Sequence, residues 1–138
     1  MPAIRRGCAE DLTAIAAIQA ASPEAAHWPP ADYLVHFLLV AVGETGVLGF
    51  VAARQVADQE FEILNIAVAP AFRRRGVARE LLCSLFQQCQ GAFYLEVRES
   101  NLTAHICYKS LGFQTVTYRP AYYENPSEPA IVMKFHSC

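Results

Sequence analysis

Four of the eleven basic residues in this 138-residue chain fall between Arg73 and Arg79. They belong to the segment Ile66-Ala67-Val68-Ala69-Pro70-Ala71-Phe72-Arg73-Arg74-Arg75-Gly76-Val77-Ala78-Arg79, which leaves an apolar, β-rich stretch, crosses a basic loop and enters a helical pattern. Such a junction can bind an anion. The first amides of a helix lack intrahelical acceptors and carry the positive end of its dipole, small residues at Gly76 and Ala78 let a diphosphate approach the backbone, and arginines add charge-assisted hydrogen bonds. The competing reading at this point is a solvated arginine-rich loop, because an Arg-x-x-Gly-x-small pattern is short enough to recur by chance. Other chemistries find less support. His27, His36, His105 and His136 show no H-x-x-x-H spacing, and no G-x-S-x-G, Walker or dinucleotide pattern is present, so no metal and no serine nucleophile are predicted. The five cysteines are odd in number and contain no C-x-x-C, which predicts neither a disulfide framework nor a zinc site. They read as reduced thiols, buried as small hydrophobes apart from the C-terminal Cys138.

The elements that must position this loop follow from hydrophobic spacing. Residues 3–6 predict a short strand, and Leu12, Ile15 and Ile18 a helix over 10–21 stopped at Ser22-Pro23; a second short helix follows Pro30. Residues 37–42 and 47–56, around Gly43-Glu44-Thr45-Gly46, predict a hairpin. Residues 61–68 are nearly all apolar from Ile63 onward and predict a central strand covered on both faces. Val77, Leu81, Leu82, Leu85, Phe86 and Cys89 predict a helix over 76–90, ended by Gly91, with an apolar strand at 93–97 completing a parallel strand-helix-strand unit. A helix over 101–111 and strands at 113–118 and 130–135, joined by a proline-containing connection, complete the chain. A meander followed by a crossover requires one mixed α/β sheet with helices on its faces.

Residues 1–138 are expected to form a single domain. A net charge of −2 supplies no whole-molecule field for nucleic acid or an anionic membrane. The longest apolar run, Phe37 to Val42, is far short of the roughly 20 residues that span a bilayer, and no signal peptide is recognisable, which predicts a cytoplasmic protein.

Three ordered stretches resemble the GNAT acetyltransferases, and within them the RimI-type ribosomal-protein alanine N-acetyltransferases. The first is Asn65-Ile66-Ala67-Val68-Ala69-Pro70 with Arg73-Arg74-Arg75-Gly76-Val77-Ala78, similar to the family's acetyl-CoA motif. The second is Leu95-Glu96-Val97-Arg98-Glu99-Ser100-Asn101, continuing to Cys107-Tyr108-Lys109-Ser110-Leu111-Gly112-Phe113, and the third is Arg119-Pro120-Ala121-Tyr122-Tyr123 before Ala130-Ile131-Val132-Met133. Before residue 60 the likeness rests on the order of elements and on His27-Trp28-Pro29. The resemblance implies the GNAT fold: a central mixed sheet of about seven strands, splayed at its two parallel central strands and flanked by about four helices.

It also implies a site. Acetyl-CoA would lie along Ile66, Ala67 and Val68, with its pyrophosphate on Arg74, Arg75, Gly76, Val77, Ala78 and Arg79 and further cofactor contacts from Arg73 and Asn101. An α-amino group of pKa about 8 must lose a proton before it attacks a thioester, and the resemblance gives that base role to Glu96. It gives the role of acid for the departing thiolate to Tyr108, seven residues after Asn101 and two helical turns on. Tyr122, Tyr123 and Trp28 would contact the acceptor, with Glu62 and Glu24 as further lining. Each has an ordinary alternative: Glu96 as a solvated strand-end carboxylate, Tyr108 as a core aromatic, Asn101 as a helix cap with Ser100. The implied reaction is direct acetyl transfer to a primary amine without a covalent acyl-enzyme, the acceptor being the N-terminal alanine of a ribosomal protein. A small-molecule amine, a non-catalytic acyl-CoA binder and an RNA module using the arginines stay open. A monomer or weak homodimer is expected, with no nucleic-acid or membrane partner and no metal.

Overall fold

Apolar residues run almost unbroken along the central strands, and the elements follow the expected order. The computed structural model describes residues 2–22, 28–123 and 128–137, without the side chains of 121–123, 128 and 137. Seven strands form one sheet: Ala3–Arg6 (β1), Phe37–Gly43 (β2), Gly46–Ala57 (β3), Glu60–Val68 (β4), Gly91–Arg98 (β5), Gln114–Tyr123 (β6) and Glu128–Ser137 (β7), in the spatial order β1-β2-β3-β4-β5-β7-β6. Only β4 and β5 are parallel, as their connection through a helix requires. The helices are Leu12–Ala20 (α1), Val77–Gln88 (α2) and Leu102–Ser110 (α3). The short helix after Pro30 is a 3-10 helix, Pro30–Val35, and the helix expected from residue 10 opens as a 3-10 turn at Ala9–Asp11.

Side chains from the two faces of the sheet build two cores. On one, Val77, Leu81, Leu82 and Leu85 of α2 meet Phe93, Leu95 and Val97 of β5, with Ala104, Tyr108 and Leu111 of the α3 region partly buried against them. On the other, Ile15 and Ile18 of α1 and Tyr33 meet Leu38, Val40, Phe50, Ala52, Leu64 and Ala67. β4 contributes to both, Ile63 and Val68 to the first and Leu64 and Ala67 to the second, so its apolar run is that of a strand covered on both faces. At roughly 1.5–3 kcal/mol per fully buried large aliphatic side chain, these two layers supply most of the drive for folding.

Two expectations need correction. The stretch assigned to a proline-containing connection is largely strand, because β6 reaches Tyr123 and β7 begins at Glu128. Pro120 is tolerated there because β6 lies at the edge of the sheet, where a missing donor need cost no ladder bond, and the register shifts between Arg119 and Tyr123. The cysteines are less buried than expected: Cys8 and Cys83 are exposed, and Cys89 and Cys107 are half-buried, their thiol pKa values raised by that burial. Cys138 lies outside the described residues.

The first turn is tied to the edge strand by a buried carboxylate. Asp11 accepts both Nη groups of Arg5, at 2.8 and 2.9 Å, and the Cys8 amide at 2.9 Å. The bond from Arg5 holds its pKa at about 2, against the ordinary 3.8. A carboxyl whose pKa is lower in the folded state stabilises the fold above its unfolded pKa and loses that contribution as pH falls through its folded value. Asp11→Asn is therefore expected to cost about 2 kcal/mol at neutral pH, and the gap to the native chain should shrink as pH drops from about 5 to about 2. Urea unfolding across that range checks this; a gap that stays constant with pH contradicts it.

Candidate active site at the opening of the sheet

β4 and β5 pair at only three positions, Glu60 with Ala92, Phe61 with Phe93 and Glu62 with Tyr94. Two local features set this geometry. At the closed end, Gly91 has φ +148° and a Cβ there would lie 2.2 Å from the Gln59 carbonyl oxygen, so only glycine lets the strand start this close to the β3–β4 turn. Past Glu62, β4 carries a bulge: Ala53 pairs with Ile63 and Ala52 with Asn65, which leaves Leu64 as an extra residue. A bulge bends and twists its strand, and here it turns β4 away from β5.

The amides along the opened half can be followed one by one. The Ala69 N–H donates to the Leu48 carbonyl of β3 at 2.7 Å, so by alternation the N–H groups of Ile66 and Val68 point to the other edge, toward the opening. Ile66 N–H is engaged by Asn65 Oδ1 at 2.9 Å, which leaves Val68 N–H as the donor facing the gap.

The chain then makes a 3-10 turn, Pro70–Phe72, and enters α2. Arg74 has φ +64° and Gly76 φ +81°. A Cβ at Gly76 would meet nothing within 4 Å, so the position selects glycine by conformation and not by space. Gly76 is the N-cap and no side chain caps the helix. The ladder begins with Glu80 N–H to the Gly76 carbonyl at 3.0 Å, so the amides of Val77, Ala78 and Arg79 have no intrahelical acceptor. Arg74, Arg75 and Arg79 are exposed around them; Arg75 lies over the Phe72 ring at 5.6 Å and Arg79 donates to Ser110 Oγ at 3.1 Å. Arg73 is engaged elsewhere, donating to the carbonyls of Val68 and Ala21 and to Ser22 Oγ.

Glu96 and Tyr108 flank β5 from opposite faces. Leu95 and Val97 point into the α2 core, so Glu96 points to the other side, where its side chain is 20% exposed and its Oε1 lies 3.3 Å from Arg119 Nη2 of β6. It lines a hollow of about 200 Å³ together with Glu62, Tyr94, Arg119 and Val132. Glu62 is ion-paired with Arg54, and Lys134 Nζ lies over the Tyr94 ring at 5.4 Å. Tyr108 is partly buried on the α2 side, tilted against Phe113 at 5.7 Å between ring centroids. Asn101 is the N-cap of α3, its Oδ1 accepting from the Ala104 amide at 3.2 Å, so the capping alternative is realised.

The exposed Trp28 is held through its carbonyl, which accepts from Gln19 Nε2 at 2.6 Å. Gln19 Oε1 in turn accepts from Tyr33 Oη at 2.6 Å and from Asn65 Nδ2 at 3.1 Å, and Asn65 Nδ2 also lies 3.0 Å from Tyr33 Oη. Sequence reasoning missed this buried network and Arg119. Its one visible signal was Asn65, a polar residue inside an apolar strand. Tyr122 and Tyr123 belong to the backbone of β6, their side chains outside the described residues; Glu24 and His27 lie outside them altogether. Among the described residues no group of three or more His, Cys, Asp or Glu side chains is placed to hold a metal ion, and no helix is long and apolar enough to cross a membrane.

The profile of the acetyltransferase (GNAT) family matches residues 8–113, and the chain belongs to that family. Among its relatives is the Escherichia coli [ribosomal protein bS18]-alanine N-acetyltransferase, 36% identical over 103 residues covering 70% of each chain. The crystal structure of that enzyme superposes with a TM-score of 0.84 at 28% identity, over 99% of this chain and 94% of the other. Ard1 from Thermoplasma volcanium gives a TM-score of 0.90 at 27% identity, over 99% and 97%. An uncharacterized protein of Mycobacterium leprae is 41% identical over 90 residues, 64% of this chain but only 25% of that longer one.

Tyr33→Phe keeps the ring but strips a buried donor and acceptor from Gln19 and Asn65, and should cost about 1–3 kcal/mol of stability. Chemical denaturation measures this; a change below about 0.3 kcal/mol would show the network to be dispensable.

Proposed function

We propose that the chain transfers the acetyl group of acetyl-CoA to the N-terminal α-amino group of a protein, the acceptor being the alanine of a ribosomal protein, as the relatives' names suggest. The observation that carries this is the arrangement at the open half of β5: a carboxylate on one face, a phenol on the other, and unclaimed amides across the gap on β4 and α2. The amides of Val77, Ala78 and Arg79 hold the donor's diphosphate, with Arg74, Arg75 and Arg79 supplying positive charge. Acetyl-CoA brings an activated thioester; the rest of the chemistry belongs to the side chains and backbone of this chain.

Glu96 takes a proton from the acceptor ammonium, held in place by Arg119. Val68 N–H stabilises the negative charge that develops on the acyl oxygen as the amine nitrogen bonds to the carbonyl carbon. As the carbon–sulfur bond breaks, Tyr108 gives its proton to the departing thiolate. The nitrogen's second excess proton leaves to solvent, and the products are the N-acetylated acceptor and free coenzyme A. A ribosomal acceptor places this reaction in the cytoplasm. The acceptor lies on the face of Glu96, with Trp28 as a further contact.

Glu96→Gln and Tyr108→Phe should each lower kcat by about 10²–10⁴ while leaving the Kd for acetyl-CoA within about threefold. Steady-state kinetics and calorimetry check this, and unchanged rates would remove either residue from the mechanism. A panel of N-terminal peptides and small amines, read by mass spectrometry, tests the acceptor. Preferred turnover of peptides beginning with alanine is expected; efficient turnover of a small amine alone would contradict the ribosomal acceptor.

A further inference from the structure

Arg73, Arg74 and Arg75 are chemically identical, yet the fold gives the first a different task. Arg73 Nε donates to the Val68 carbonyl at 3.0 Å, and its Nη2 donates to the Ala21 carbonyl at 3.1 Å and to Ser22 Oγ at 3.0 Å. Ser22, only 8% exposed, donates onward to the Ile18 carbonyl at 2.7 Å. One guanidinium, 52 and 51 residues from Ala21 and Ser22 in sequence, thus joins the last residue of β4 to the C-terminal end of α1. Guanidinium suits this task because its donors diverge in one fixed plane and can serve acceptors on two elements at once, whereas an ammonium is a point donor on a flexible stem.

Both ends of this strap matter to the proposed reaction. Val68 supplies the N–H that faces the opening, and the bond to its carbonyl fixes the neighbouring peptide. Ala21 is the C-cap of α1, the helix that also carries Gln19, which binds the Trp28 carbonyl and Asn65. The open half of β4 is therefore fastened to the acceptor-side helix at two points, at Asn65 through Gln19 and at Val68 through Arg73.

We infer that Arg73 is a positioning residue for acyl transfer and not a ligand of the donor phosphates: it locks the Val68 peptide to the C-terminal end of α1, holding the acyl-oxygen donor and the acceptor side in one arrangement. This deepens the acetyltransferase reading and rests on it. The phosphates fall to the free amides at the start of α2 and to Arg74, Arg75 and Arg79.

The test compares the native chain with Arg73→Lys, Arg73→Gln and Ser22→Ala. Calorimetric titration uses 3′-phospho-ADP, the nucleotide portion of coenzyme A, and kinetics are run at saturating acetyl-CoA. Both Arg73 variants should bind the nucleotide within about threefold of the native chain while kcat falls about tenfold or more, with lysine giving little rescue because the fork and not the charge is needed. Ser22→Ala, far from any phosphate role, should lower kcat in the same direction by a few-fold. The inference is overturned if Arg73→Gln weakens the nucleotide about tenfold and lysine restores it, which is the behaviour of a phosphate contact. It is equally overturned if neither kcat nor binding changes. Should Arg73→Gln fail to fold, Arg73→Lys and Ser22→Ala decide the matter by the same criteria. Failure of the native chain to acetylate any N-terminal peptide would sink the acceptor reading instead, and the nucleotide titration, which needs no acceptor, would still report whether Arg73 binds phosphate.

Discussion

A strand in the middle of a sheet whose neighbour has moved away is an unusual thing for a protein to keep, because buried backbone donors and acceptors need partners. β4 is such a strand. Apart from the bulge at Leu64 it is paired with β3 along its length, yet on the other side it meets β5 over three residues and then parts from it. The closed end is held by the approach of Gly91 to Gln59, and the open end is produced by the bulge at Leu64. This creates a sheet edge in the interior of the fold instead of at its rim, lined by backbone.

The remaining architecture serves this opening. α2 follows β4 after the loop at residues 69–76, in which the left-handed conformations at Arg74 and Gly76 turn the chain into the start of the helix and its uncapped amides. Packing of Leu81, Leu82 and Leu85 against β5 fixes the direction of α2 and thus of those amides. Strand alternation does the rest: because Leu95 and Val97 are needed in the core, Glu96 must face away from it, and Tyr108 on α3 must approach from the other side. The opposed placement of a carboxylate and a phenol follows from packing a strand between two layers. On the face of Glu96 two carboxylates are ion-paired, Glu96 with Arg119 and Glu62 with Arg54.

Much of this was legible in the sequence, for physical reasons that can be named. The apolar run Ile63 to Val68 marked a strand covered on both faces, and the spacing of Val77, Leu81, Leu82 and Leu85 marked the helix on which the amides depend. Proline is a reliable breaker only where a ladder bond is at stake: β6 runs through Pro120 because an edge strand has one side free of that demand, and Pro129 is tolerated because it falls at the very start of β7. The bulge at Leu64 left no trace, since any apolar residue can occupy it. Three consecutive arginines could not be told apart by type; the backbone conformation at Arg74 and the acceptors offered by Ala21 and Ser22 separate Arg73 from the others. Asn101 could be read as a cap or as a contact, and the structure shows it capping α3. Gln19 and Tyr33 gave no signal, because their partners are 46 and 32 residues away from them at Asn65.

On the proposed reading, the opening between β4 and β5 leaves specific amides to be completed by an acyl-CoA donor. Residue-resolved amide hydrogen exchange, measured by NMR with and without acetyl-CoA, addresses it directly. Slowed exchange concentrated at Val68 and at Val77, Ala78 and Arg79 is the predicted result. Binding that leaves those four amides exchanging as in the free protein would contradict the account.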